Sequence, residues 1–118
     1  MNLPEHLGDV IDDLTRACDS AARRRLDHSD LVQSLHRLSQ VIARTNTVVN
    51  HLGSRLAQGA DDVGYTTQAR GRLADMYMVL NHAKQNLSAA GAGTRRAAEV
   101  HEYVVRGDKL FRTPIDHR

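Results

Sequence analysis

The chain has 118 residues, which is enough for one small domain and too few for two independent hydrophobic cores. Its apolar fraction of 41% is typical of a globular protein, and no run reaches the roughly 18 apolar residues that a membrane-spanning helix needs. The formal net charge of +2 is unevenly distributed, because residues 1–30 carry a net charge of −3 and residues 31–118 carry +5. A charge excess this small is weak support for binding a polyanion.

The N-terminus has no basic patch followed by an apolar block, so we expect no secretory signal peptide and a cytoplasmic protein. Arginine outnumbers lysine by 14 to 2, and alanine is abundant, which indicates a GC-rich, bacterial genome. The single cysteine, Cys18, excludes an intrachain disulfide. Its small and apolar neighbours predict a buried, unreactive side chain.

A first helix is predicted over residues 3–26. Pro4 fits an early helical position, where its missing N–H is not needed. Acidic residues lie toward the start of this helix and Arg23, Arg24 and Arg25 lie at its end, which suits the helix dipole. The apolar face consists of Leu3, Leu7, Val10, Ile11, Leu14, Ala17, Cys18, Ala21 and Ala22.

A second helix is predicted over residues 29–58, after a break at residues 27–30 that offers Asp27 or Ser29 as N-cap. Apolar residues in this segment recur at steps of four and three, which is the spacing of a helical seam. The stripe is wide enough to contact two neighbouring helices rather than one. It comprises Leu31, Leu35, Leu38, Ile42, Val49, Leu52 and Leu56, with Thr45 in the remaining position.

Residues 59–67 are predicted to form the main turn, followed by a third helix over residues 63–90 with a matching seam. Gly91 and Gly93 are expected to end that helix. Thr94 can then cap a short fourth helix over residues 95–106, which Gly107 ends. The third-helix seam comprises Ala69, Leu73, Met76, Leu80, Ala83, Leu87 and Ala90.

The sequence therefore predicts an all-α fold: a long antiparallel hairpin with an N-terminal helix against it and a short fourth helix. We expect residues 1–107 to form a single helical-bundle domain. Residues 108–118 are expected to form an irregular tail, since Pro114 disfavours a helix. The apolar tail residues Leu110, Phe111 and Ile115 must dock, either on their own bundle or on a partner.

No motif for catalysis or metal binding is evident. None of the seven histidines lies three or four residues from another, and no Glu-x-x-His occurs. Nucleophile motifs and glycine-rich phosphate loops are also missing from the sequence. We therefore expect no enzyme activity, no catalytic residue, no metal, no cofactor and no small-molecule substrate.

Several arginines are clustered and could bind phosphates if the fold brings them together. No aromatic residues alternate with them, so stacking on single-stranded nucleic acid is not expected. A nucleic-acid-associated accessory protein is the alternative function. The candidate phosphate-binding residues are Arg23, Arg24, Arg25, Arg70, Arg72, Arg95 and Arg96.

A helical hairpin of this size in a chain without a leader resembles the small substrates of type VII secretion. That family has Trp-x-Gly in its central turn, whereas this turn has Gly64 and the chain has no tryptophan. The family also has an acidic residue four positions after a tail tyrosine, whereas Gly107 follows Tyr103 at that spacing. The resemblance is limited to the hairpin, and we assign no family from it.

The expected function is a non-catalytic adaptor or assembly module that works through protein–protein interaction. Four helices of these lengths cannot bury one another completely, because the second and third are about twice as long as the fourth. We therefore expect a homodimer or a complex with another protein. The expected contact residues are the exposed part of the hairpin seam together with Leu110, Phe111 and Ile115.

Overall fold

The computed structural model describes the backbone of residues 1–111 and the side chains of residues 1–102. The described backbone forms three helices and no strand, which confirms the all-α class. Helix α1 spans Leu3–Arg23, α2 spans His28–Ala60 and α3 spans Thr67–Phe111. The chain divides into two compact units, Met1–Leu31 and Val32–Arg118, and each is described by itself.

Helix α1 dominates the first unit and is capped at both ends. The Asn2 side chain accepts a hydrogen bond from the Glu5 N–H at 3.0 Å, and a proline follows in the first turn. At the other end, the Arg24 N–H donates to the Ser20 carbonyl. No residue of α1 is buried. Cys18 is exposed, whereas the sequence predicted a buried side chain.

Local side-chain hydrogen bonds position the other two helix starts. Before α2, the Asp27 carboxylate accepts from the Asp30 N–H at 2.7 Å, which satisfies a free N–H of the first turn. Before α3, the Thr66 hydroxyl accepts from the Ala69 N–H at 3.1 Å. Asp27 is one of the two N-caps that the sequence predicted for the second helix.

Contacts between α2 and α3 define an antiparallel hairpin. Residues further along α2 contact residues nearer to the start of α3. Asn46 Nδ2 donates to Ser88 Oγ at 2.9 Å, and Lys84 Nζ donates to Asn50 Oδ1 at 2.8 Å. His36 Nε2 lies 3.7 Å from Glu102 Oε1 near the open end.

The seam between the two helices differs in part from the one expected. One predicted stripe of α2 does lie in the seam and is half-buried: Leu35, Ile42, Val49 and Leu56. The second stripe of α2, however, is made of small or polar residues rather than of leucines, and Leu38 and Leu52 are exposed. That second stripe is Ser39, Asn46, Gly53 and Ala60.

Helix α3 also has a second stripe that differs from the predicted one. Leu73, Leu80 and Leu87 are half-buried as expected, whereas Met76 is 54% exposed. The second stripe of α3 consists of Tyr77, Lys84, Gly91 and Ala98. Small residues in both helices allow the two backbones to approach closely, which explains why this register is preferred to the leucine-rich one.

The expected count of four helices is not confirmed, because α3 continues through Gly91 and Gly93 and includes the expected fourth helix. Gly91 is buried in the seam: a Cβ built on it would lie 3.3 Å from Ile42 Cγ2. Gly91 therefore permits close packing and does not end the helix. Thr94 donates from its hydroxyl to the Ala90 carbonyl at 2.8 Å and is a helix-interior residue, not a cap.

The start of the expected irregular tail is helical, since α3 passes Gly107 and ends at Phe111. Leu110 and Phe111 therefore lie in the last turn of a helix. Ile115 lies outside the described residues. The packing of α1 on the hairpin and the single domain over residues 1–107 stay predictions.

Candidate interaction surface

The hairpin has two unlike sides, and the polar contacts between its helices mark one of them. On α2, His36 and Asn50 each follow a seam residue by one position; on α3, Ser88 and Glu102 do the same. In antiparallel helices, equivalent heptad positions lie on the same side of the pair. We call this side the polar face.

The opposite side carries large apolar side chains. Leu38 and Leu52 come one residue before Ser39 and Gly53, so each is turned by about 100° away from the seam. Met76 occupies the equivalent position on α3, and this side also includes the adjacent heptad position of each helix. We call this surface the apolar face; its residues are Leu38, Val41, Leu52, Met76, Val79 and Val100.

The apolar face is open to solvent. Exposure ranges from 37% for Val41 to 71% for Val79. Conversely, Ala98 is the sole buried apolar side chain among the residues whose side chains are described. Folding of the hairpin thus leaves much of its large apolar surface in contact with water, and exposed apolar residues concentrated on one side of a protein are characteristic of an interaction site.

Basic residues border the apolar face. The border consists of five arginines and a single carboxylate, a net charge of +4. Arg55 and Arg72 occupy the same heptad positions as Val41 and Val79, and the other four lie one heptad position further from the seam. All six residues are exposed. An apolar surface with this border favours a partner that is apolar in the centre and acidic around it. The border residues are Arg37, Arg44, Arg55, Arg72, Arg96 and Asp75.

The candidate phosphate-binding residues are not gathered into one cluster on α3. Arg72 and Arg95 are separated by 23 residues, which corresponds to about 35 Å along a helix. Arg70 is half-buried at the turn end of the seam, where its Nε is buried and has no hydrogen-bond partner. Arg23, Arg24 and Arg25 lie in the first unit, at the end of α1 and directly after it.

The described side chains offer little for small-ligand or metal chemistry. Within residues 1–102 no group of three or more His, Cys, Asp or Glu side chains is placed to hold a metal ion. A pocket of about 50 Å³ lies beside the seam, lined in part by Asn50, Gly53, Tyr77 and Lys84. Its volume suits a few water molecules. No helix of the described chain is both long and apolar enough to cross a membrane.

Sequence reasoning did not identify the polar members of the seam. Asn46 and Lys84 face the partner helix, and Asn46 Oδ1 is buried without a hydrogen-bond partner in the described structure. The signal that was available is the strict seven-residue recurrence of small and polar side chains through Ser39, Asn46, Gly53 and Ala60. A scale based on hydrophobicity alone ranks that stripe below the leucine stripe beside it.

Comparison with known proteins gives no assignment: no protein-family model, curated protein or solved structure matches this chain. A function must therefore be argued from the hairpin and its two faces.

Proposed function

We propose that the protein is a non-catalytic assembly module that associates with another protein surface, foremost a second copy of itself, through the apolar face of its hairpin. The observation that supports this proposal is the inverted placement of side chains. One of the two seam stripes on each helix consists mainly of small and polar residues, while Leu38, Leu52, Met76 and Val79 are exposed. Helices from a partner that pack on the apolar face would complete a bundle of four or more helices.

The energetic reason is that the described residues of the hairpin bury little of their large apolar surface. A fully buried leucine or methionine side chain contributes about 1.5–3 kcal/mol relative to an exposed one. The hairpin gains only part of that contribution, because its leucines are half-buried or exposed. Covering six large apolar residues in an interface would supply the missing burial, which is why assembly is the favoured function.

The test compares two hairpin variants by sedimentation equilibrium. Leu52→Gln/Val79→Gln places polar groups in the apolar face, and Met78→Gln makes the same kind of change at the neighbouring position on the polar face, where Met78 is 60% exposed. We expect the wild type and Met78→Gln to form dimers, and Leu52→Gln/Val79→Gln to be monomeric with unchanged helix content. A wild type that is monomeric at all concentrations, or equal association by both variants, contradicts the proposal.

The apolar residues Leu110, Phe111 and Ile115 are proposed as additional partner contacts. Two of them, Leu110 and Phe111, fall in the last turn of α3. A chain that stops at Gly107 should associate more weakly in light-scattering measurements. An unchanged molar mass would assign this segment no role in association.

The alternative proposal is a nucleic-acid-associated accessory protein. It is supported by the exposed arginines on α3, Arg72, Arg95 and Arg96, and weakened by the separation between the first of these and the other two. Titration of a labelled DNA duplex at two salt concentrations tests it. Binding at low salt that falls steeply with added salt supports phosphate contacts, and lack of binding at low salt rejects them.

A further inference from the structure

We propose that the apolar face of the hairpin receives helix α1 of a second copy of the chain, rather than the apolar face of that copy. This inference rests on the proposed function, since it names the occupant of the same surface. Two copies would exchange their α1 helices reciprocally, so that each hairpin is covered by the helix of its partner in a closed two-fold dimer.

Helix α1 has the amphipathic pattern of helices that bind in apolar grooves. Its apolar residues recur at steps of three and four and are all exposed, with values from 37% for Leu7 to 62% for Ile11. The helix is preformed by its Asn2 cap and its Ser20–Arg24 hydrogen bond. Because most of the stability of a helix in a protein comes from packing its apolar face, we expect the exposed stripe of α1 to pack on another surface.

The apolar stripe of α1 is longer than the α2 part of the apolar face and shorter than its α3 part, which extends about 36 Å from Met76 to Val100. On α1 the apolar stripe extends from Leu3 to Ala21, which is about 27 Å along the helix axis. On α2 the apolar face extends from Leu38 to Leu52, which is about 21 Å. A single α1 helix is therefore long enough to cover the α2 part of the face, with its leucines beside those of α2.

A second copy could cover the apolar face with its α1 helix or with its own apolar face, and the net charges of these two surfaces distinguish them. Between Leu3 and Arg23 there are five acidic and two basic residues, a net charge of −3. The border of the apolar face carries +4, so α1 and this face attract each other. Two apolar faces placed against each other would instead bring two +4 borders together, and like charges in an interface oppose association.

Each of the two units, described by itself, has one of these two surfaces exposed to solvent. The α1 stripe is exposed in the first unit, and the apolar face is exposed in the second. A second copy supplies the complement of both surfaces at once. Association therefore ends at two chains and leaves neither surface uncovered.

Salt dependence of the dimer is the first part of the test. With α1 on the basic-bordered face, the dimer dissociation constant should rise about tenfold or more between about 50 mM and about 500 mM NaCl, because salt screens attraction between exposed charges. Face-to-face pairing of hairpins predicts the opposite change, since salt then screens repulsion. A dissociation constant that falls with salt overturns the assignment of α1.

The second part uses charge reversal in the full-length chain. Asp9→Lys/Asp13→Lys should weaken the dimer about tenfold or more, and so should Arg37→Glu/Arg44→Glu. An equimolar mixture of the two variants should restore association, because each α1 then meets a face of opposite charge. Glu99→Lys, an exposed change on the polar face, is the control and should leave the dissociation constant unchanged. Helix content measured by circular dichroism verifies folding of every variant.

The outcomes separate this inference from the proposed function. If Asp9→Lys/Asp13→Lys associates like the wild type while Leu52→Gln/Val79→Gln is monomeric, the apolar face is an interface and α1 is not its occupant. If the wild type is a monomer under all conditions, both the second copy and the exchange of α1 are wrong.

Discussion

One stripe of the inner seam and the outer apolar face differ in the opposite sense from what a simple helical pair would show. The buried residues of the seam are Gly53, Gly91 and Ala98, while Leu38 and Met76 face solvent. This difference supports the proposal that the two surfaces have different roles. Small residues let α2 and α3 approach closely, whereas the large apolar residues outside the seam remain exposed.

The largest expected effect comes from filling the seam at Gly91. A side chain there would collide with Ile42, because even a Cβ would lie 3.3 Å from its Cγ2. Gly91→Leu should lower the free energy of unfolding by about 2 kcal/mol. The control is Gly71→Leu, on the polar face, where a Cβ meets no atom within 4 Å. That variant should be more stable by about 0.5–1 kcal/mol, since leucine favours the helix. Urea denaturation at equal protein concentration measures both, and equal stability of the two variants would remove Gly91 from the seam.

A matched pair of truncations compares the seam with the apolar face directly. Leu80→Ala removes a half-buried seam side chain and should cost about 1.5 kcal/mol of unfolding free energy. Met76→Ala removes an exposed side chain and should change stability by less than about 0.5 kcal/mol in dilute, monomeric protein. Thermal unfolding at low concentration provides the comparison. A larger cost for Met76→Ala would mean that the leucine-rich register is the correct one.

Substitution of Asn46 by an apolar residue is expected to stabilise the hairpin. Its Oδ1 is buried without a hydrogen-bond partner in the described structure, and such an acceptor carries a desolvation cost. Asn46→Val should raise the unfolding free energy by about 1 kcal/mol, although it removes the hydrogen bond to Ser88. Chemical denaturation measures the gain. A loss of more than about 1 kcal/mol would show that the Asn46–Ser88 bond contributes more than the orphaned oxygen costs.

The smallest effect is expected on the polar face. The His36–Glu102 pair spans 3.7 Å, and the two side chains are 40% and 43% exposed. Exposed ion pairs of this kind contribute little, so Glu102→Gln should change stability by less than about 0.5 kcal/mol. An effect as large as that of Leu80→Ala would place the main stabilisation of the hairpin on its polar face instead of its seam.

Much of the fold was predictable from the sequence, and the exceptions share one cause. Heptad spacing predicted the all-α class and identified Leu35, Ile42, Leu73 and Leu80 as seam residues. Hydrophobicity, however, favoured Leu38 over the adjacent Ser39, because a periodic pattern does not reveal which of two neighbouring stripes meets the partner helix. Close approach of two backbones selects small residues, and that selection depends on the neighbour rather than on the local sequence.

The glycines illustrate the same limit. Gly91 and Gly93 were expected to end a helix, since glycine is common at helix C-termini. The three-and-four spacing nevertheless continues through Leu87, Gly91, Thr94 and Ala98, and α3 follows that spacing without a break. For the candidate site, the sequence predicted an exposed part of the seam as the contact surface. Which residues form it, and the basic border around it, emerged only from the pairing of α2 with α3.

The most direct test of the central claim is thiol labelling of two adjacent positions, in chains where Cys18→Ser removes the native cysteine. Gly53→Cys lies in the seam, and Leu52→Cys lies in the apolar face. The account predicts that Gly53→Cys is protected at every protein concentration, whereas Leu52→Cys reacts quickly in dilute protein and becomes protected when the protein is concentrated. A Leu52→Cys thiol that is protected at every concentration, or that stays reactive in concentrated protein, would contradict the account.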